Sequence, residues 1–162
     1  MKSSIFSLIV ISLLSACATT SNHTTEMLNS INAARAKART CGDKHFQAAA
    51  PLRWNEKLAN AAQKHAQEMA DNRHFSHNSK DGKKSFDRIK AEGYQFWTTA
   101  ENIAHGQSNV KEVMKSWLSS PRHCANLMNP NITEVGMAGA YNRNLNETPP
   151  VIYWVQDFGE PR

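Results

Sequence analysis

The chain has 162 residues, with 19 Lys and Arg against 14 Asp and Glu, for a net charge of +5. That length fits one domain with a proper hydrophobic core. The charge is mild and no Lys/Arg block stands out, so nucleic acid is not an expected partner, and attraction to anionic envelope surfaces is only generic.

The N-terminus reads MKSSIFSLIVISLLSACATTSN. Lys2 supplies a short positive region, and Ile5 to Leu14 is an almost wholly apolar run. A permanent membrane helix needs roughly 20 apolar residues. This run has instead the length of a signal-peptide core. Leu14-Ser15-Ala16-Cys17 follows directly and resembles the lipobox of bacterial lipoproteins. The resemblance implies removal of residues 1–16, a diacylglycerol on the Cys17 sulfur, and acylation of the new N-terminus. Two or three acyl chains anchor stably where one does not. Ala18, rather than Asp, points to sorting to an outer membrane. Residues 17–25 then read as a polar tether and 26–162 as the folded domain.

Cysteine usage fits that compartment. With Cys17 lipidated, Cys41 and Cys124 remain, and an oxidising envelope favours a disulfide between them. It would close a loop of about 84 residues, worth roughly 4–5 kcal/mol in the chain-entropy account.

Met27, Leu28, Ile31, Ala34 and Ala38 recur at spacings of three and four, which predicts a helix over about 25–39. Residues 40–53, with Gly42 and Pro51, read as irregular. Asn55 is an N-cap for a helix over 56–72, whose buried stripe is Leu58, Ala62, His65, Ala66 and Met69. His65 on that stripe reads as a satisfied core residue. FSHNSKDGKK (75–84) is a polar loop. Ser85 caps a short helix over 86–92, ended by Gly93 at C′. YQFWTTAENIA (94–104) is rich in aromatic and β-branched residues and reads as a strand.

A helix over 109–119 follows, with Val110, Val113, Met114, Trp117 and Leu118 on one face. Ser120-Pro121 fits an N-cap with proline at the first helical position, starting a short helix that ends before Pro130. Strands over 132–142 and 151–158 close the chain, with Asn142-Arg143-Asn144 and Pro149-Pro150 in the turn. Helices first, then strands mixed with helices, argue an α+β fold: a small antiparallel sheet with helices packed on it.

Chemistry concentrates on three residues. His77 sits in the loop FSHNSKDG, His123 near the start of the short helix, and Glu101 inside an otherwise apolar strand. A buried carboxylate is costly unless paired, hydrogen-bonded or metal-bound. Two histidines and a glutamate match a catalytic-type zinc site in ligand type, and a helix N-terminus favours the neutral, metal-binding form of His123. The three share no local motif such as H-E-x-x-H. The alternative is a hydrogen-bonded cluster tying loop, strand and helix together. Ser76 and Ser79 read as turn formers rather than nucleophiles. Asp87 and Arg88 read as a local pair or cap without chemistry. Cys124 as a thiolate nucleophile is disfavoured, because neighbours on a helix point about 100° apart and His123 is badly placed to activate it.

Five segments then stand out in order: PLRWNEKLANAAQKHAQEMA, FSH…DG…R, AENIAHG, WLSSPRHCANLMNPNITEVGMA and YWVQDFG. Together they resemble the CAP superfamily of cysteine-rich secretory, antigen 5 and pathogenesis-related proteins, in its bacterial form, across about residues 27–159. The resemblance implies an α-β-α sandwich with a small, mainly antiparallel central sheet, secretion, and a central cleft. In eukaryotic members the cleft is lined by two histidines and two glutamates, and several bind a divalent cation, commonly zinc. His77, Glu101 and His123 match three of the four, and the fourth position is Ser120, which is not acidic. Asn102 is expected to hydrogen-bond backbone in the cleft.

The function implied is an envelope-anchored, monomeric binding module for a lipid, cell-wall or protein ligand. The competing reading is a zinc-assisted hydrolase, with the ion on His77 and His123 activating water and Glu101 as ligand or base.

Overall fold

The computed structural model describes residues 15–142 and 150–162, with side chains from His23 onward. The apolar run of residues 5–14, the side chain of Cys17, and Arg143, Asn144 and Pro149 of the last turn lie outside the described residues. Among the described residues, no helix is long and apolar enough to cross a membrane.

The first helix, α1, spans Ser15–Arg35. It starts well before residue 25 and runs through the segment read as a tether. No glycine or proline interrupts residues 15–35, so nothing there breaks the backbone. It also stops before residue 39, because the chain turns into a hairpin, β1 (Arg39–Cys41) against β2 (Lys44–Phe46). From sequence, residues 40–53 read as irregular. Strands of three residues are too short to show periodicity.

Arg35, fully buried, ties the end of α1 to its surroundings. Its Nε donates to the Ala50 carbonyl at 2.8 Å, and its guanidinium nitrogens donate to the carbonyls of Leu127, Asn129 and Ile132.

A two-residue strand, β3 (Arg53–Trp54), precedes α2 (Glu56–Asn72). Asn55 caps α2 as predicted, accepting from the amides of Lys57 and Leu58. The short helix α3 spans Ser85–Ala91. Its cap is Lys84, not Ser85, and the Asp87 carboxylate accepts from the Lys84 amide at 3.0 Å. It ends in a Schellman motif at Gly93, whose φ of 76° needs no Cβ. There the Gly93 amide donates to Lys90 and the Tyr94 amide to Ile89. This use of Tyr94 delays the next strand, β4, to Phe96–His105.

Next come α4 (Val110–Ser119) and α5 (Pro121–Met128), with Ser120 shared as the cap between them and Pro121 at the start of α5. Strands β5 (Glu134–Tyr141) and β6 (Ile152–Pro161) follow.

The main sheet has the order β3-β5-β6-β4, antiparallel except for the short β3–β5 pair. On one face lies α2, whose Ala62, Ala66, Met69 and Ala70 pack on Ile103, Ala138, Ala140 and Val155. On the other face Ile31, Val113, Trp117 and Leu127 pack on Val135, Met137, Trp154 and Phe158. This is the expected three-layer α-β-α sandwich. The alanine-rich face of α2 allows close approach: a Cβ on Gly136 would sit 2.0 Å from the Ala59 backbone nitrogen.

One edge of the sheet positions the site. The outer carbonyls of β4 are covered by side chains of α4 and α5. Trp117 Nε1 donates to the Ile103 carbonyl at 3.1 Å, and Asn126 Nδ2 to the Glu101 carbonyl at 3.3 Å. Covering an edge strand in this way blocks pairing with other chains, and it sets α5 beside Glu101.

Cys41 and Cys124 form the expected disulfide, with Cα atoms 5.5 Å apart. It packs with Phe46 and Met128 in a small cluster under the hairpin.

Candidate functional site

The loop after α2, the edge strand β4 and helix α5 meet around a cavity of about 340 Å³, lined by His77, Glu101, Arg122, His123, Ala125 and Asn126. All three residues singled out in the sequence line it. Ser120 and Cys124 do not. His123 faces the cavity while Cys124, fully buried, is bonded to Cys41 behind it. The helical offset therefore separates the two neighbours as expected.

Glu101 is the hub. His77 Nδ1 lies 2.7 Å from Glu101 Oε1. A carboxylate only accepts, so Nδ1 is the donor and the far edge of the ring is left for a ligand. The His77 side chain is 56% exposed and that of Glu101 only 3%, so the pair has a wet end and a dry end. The second oxygen, Oε2, receives a short charge-assisted hydrogen bond from Arg88 Nη2.

Arg88 corrects the sequence reading, which gave it only a local role. From α3 its Nη1 also donates to the carbonyls of His77 (3.0 Å) and Lys83 (3.1 Å), and it reaches Ser79 Oγ at 3.4 Å. It thus holds both the carboxylate and the loop that carries His77. Ser79 is buried and occupied by Arg88, so it presents no free hydroxyl to the cavity.

From the other side, α2 grips the same loop. The buried His65 places Nε2 2.8 Å from the Ser76 carbonyl and Nδ1 3.3 Å from Glu68. Glu68 in turn accepts from the Lys80 amide at 2.9 Å. His65 is a positioning residue in the core, as the sequence suggested.

Asp157 is the residue the sequence reading passed over. It faces Glu101 across the β4–β6 ladder, is fully buried, and neither oxygen receives a hydrogen bond from a described residue. Burial, and then the Glu101 charge, raise its carboxyl well above the ordinary range. Two carboxylates cannot bond to each other. A protonated Asp157 donates to Glu101 and resolves the conflict. The available signal was an acid inside the apolar strand YWVQDF, the same signal that picked out Glu101.

The sign of the pH dependence follows. The native state keeps this proton where the unfolded chain, near pH 3.9, has lost it. Stability from this group is therefore greatest below about pH 4 and falls as pH rises toward the folded value. Asp157→Asn should flatten that fall, since an amide donates at every pH. Urea denaturation between pH 4 and 8 checks it, and an unchanged slope would sink the assignment.

Asn102 joins the layers. Its Nδ2 donates to the His123 carbonyl (3.2 Å) and to Gln156 Oε1 (3.0 Å), while its Oδ1 accepts from Asn126 at 2.9 Å. The backbone-binding role expected for Asn102 is thus present. Asn126 and Gln156 gave no sequence signal, because an amide in a helix or strand looks like any surface residue. His123 is held below the usual histidine range, first by burial and then by the nearby positive charge of His77 and Arg122.

The three residues do not fit a zinc ion in this arrangement. Among the described residues no three His, Cys, Asp or Glu side chains are placed to hold a metal. Both Glu101 oxygens are engaged, and the Arg88 guanidinium against them opposes a dication. A larger cavity, about 520 Å³, opens beside Tyr94 and Glu134. Its acid Glu134 already accepts from Arg53, Asn55 and Tyr94, which is a structural tie.

Comparison with known proteins agrees with the fold. The profile of the cysteine-rich secretory protein family, CAP, matches residues 28–158. YkwD of Bacillus subtilis (strain 168) is 36% identical over 145 residues, 88% of this chain and 53% of that protein. An extracellular protein containing a SCP domain from Bacillus anthracis superposes with a TM-score of 0.70 at 24% identity, over 86% of this chain and 41% of that one. An outer surface protein of Borrelia burgdorferi gives a TM-score of 0.60 at 22% identity, over 94% and 97% of the two chains. This chain thus spans about half the length of YkwD and less than half of the Bacillus anthracis chain. A match over most of its length, five motifs in order and the three-layer sandwich lead to one conclusion: the chain belongs to the CAP superfamily, the family of cysteine-rich secretory proteins.

Proposed function

We propose that this CAP domain is an extracytoplasmic binding module, anchored to the cell envelope through Cys17, that holds a lipid, cell-wall or protein ligand in the His77–Glu101–His123 cleft. One observation carries the reading. The cleft is open, yet its single carboxylate is fully engaged by His77 and Arg88, and no free hydroxyl or thiol lines it. Such a site offers polar groups and shape, with no hydroxyl or thiol nucleophile. The extracellular and outer-surface descriptions of the Bacillus anthracis and Borrelia burgdorferi structures support an envelope location, the lipobox-like stretch before Cys17 supports the anchor, and Ala18 supports the outer membrane.

Calorimetric titration with a panel of lipids, cell-wall glycans and envelope proteins tests the proposal. At least one should bind saturably, and His77→Ala should weaken it about tenfold, the loss of one charge-assisted hydrogen bond, while the circular dichroism spectrum is retained. The absence of saturable binding across the panel would count decisively against it.

A further inference from the structure

The cleft is short of negative charge. Among its lining residues the only carboxylate is Glu101, and it is engaged by Arg88 on one oxygen and His77 on the other. Asp157 lies behind Glu101 but is buried without a donor, a setting that keeps it neutral. Arg122 lines the same cavity from the first turn of α5, and its guanidinium has no carboxylate or carbonyl partner among the described residues. Asn126 is turned inward, spent on Glu101 and Asn102. What faces the open space is therefore one unpaired guanidinium and two imidazole rings. The setting of His123 fits this picture: burial first, and then neighbouring positive charge, depress its protonation, and an anion would offset the second of these.

We propose that the group recognised by this cleft is a phosphate, held between the Arg122 guanidinium and the His77 and His123 rings; this deepens the binding-module reading and rests on it. A guanidinium presents a planar fork of donors that matches phosphate oxygens in pairs. His77 meets the anion with Nε2, because Nδ1 is committed to Glu101; donation from both nitrogens requires the imidazolium form, which a bound anion favours. His123, half-buried across the cavity, supplies a further donor once the anion is present. The phosphate comes either from a lipid headgroup or from a free phosphate ester, and the same side chains serve both.

Titrating the full chain at low salt while following the histidine ring resonances by NMR tests the proposal. The probes are inorganic phosphate, phosphatidylglycerol vesicles and phosphatidylcholine vesicles. The His77 and His123 signals should move saturably with phosphate or with phosphatidylglycerol. A response to phosphate alone assigns a free ester, and one to the vesicles alone assigns a headgroup. Arg122→Gln should weaken the response about tenfold or more. Lys111→Gln removes the same charge from exposed α4, outside the cavity, and should change nothing. Two results would overturn the phosphate: silence with every probe, or equal weakening by the two variants. If a panel ligand then still binds in a His77-dependent way, the cleft remains a binding site and only its ligand class is wrong.

Discussion

Arg88→Met should lower the unfolding free energy by about 3–5 kcal/mol at neutral pH, the range for removing one partner of a buried ion pair. The arginine side chain is 9% exposed and Glu101 3%, so solvent does little to screen the loss. Without the guanidinium, Glu101 faces the cross-strand Asp157 with only the half-wet His77 ring for support. The loop bearing His77 also loses three anchors, at His77, Ser79 and Lys83. Two further outcomes separate this account from simple loss of packing, since Met fills most of the same volume. The deficit should shrink in a Glu101→Gln background, where no carboxylate needs a counter-charge. Arg88→Lys should recover only part of it, because an ammonium cannot reach the carboxylate and two carbonyls in one planar geometry. Urea denaturation of these chains at neutral pH is the measurement. A deficit for Arg88→Met below about 1 kcal/mol would show that Arg88 is not the hub described here.

Cys124→Ser should destabilise the chain by about 4–5 kcal/mol in the chain-entropy account, given a sequence separation of 83 between the bonded cysteines. The bond fastens the β1–β2 hairpin to α5. Released, the hairpin has little else to hold it, since two strands of three residues are not stable alone. The cleft should survive in the molecules that remain folded. His123 is oriented by α5 through Asn102 and Asn126, and its side chain points about 100° around the helix from the sulfur. The histidine ring resonances of the folded variant should therefore match those of the parent, and a reducing agent added to the parent should reproduce the loss of stability. A parent chain indifferent to reduction, or a variant whose cleft resonances have shifted throughout, would show that the two neighbours in SPRHC are not independent. His123→Ala makes the complementary change and should leave the fold in place.

The local elements were legible because they rest on local physics. The apolar repeat and the Asn55 cap define α2, proline at a first helical position starts α5, and glycine in a left-handed conformation ends α3. The misplaced boundaries have tertiary causes. The end of α1 is set by where the hairpin and its disulfide draw the chain, and the start of β4 by the amide that Tyr94 gives to the cap of α3.

For the site, the sequence alone singled out three residues that the structure brings to one cavity. Histidine in a polar loop, histidine at a helix start and an acid in an apolar strand are each conspicuous where they stand, and Cys41 and Cys124 were the two thiols left to pair. Their setting was decided only when strand β4, loop and helix α5 came together. Arg88 resembles any surface arginine until α3 packs it over Glu101. Asp157 resembles a strand end until the β4–β6 register sets it opposite the same carboxylate. Hydrogen bonding and charge depend on distance in space, and a pair such as His77 and Glu101, far apart along the chain, acquires its 2.7 Å separation only in the folded layers. The sequence therefore named three side chains of the cleft, while the tertiary structure decided that its carboxylate is already held by Arg88 and His77.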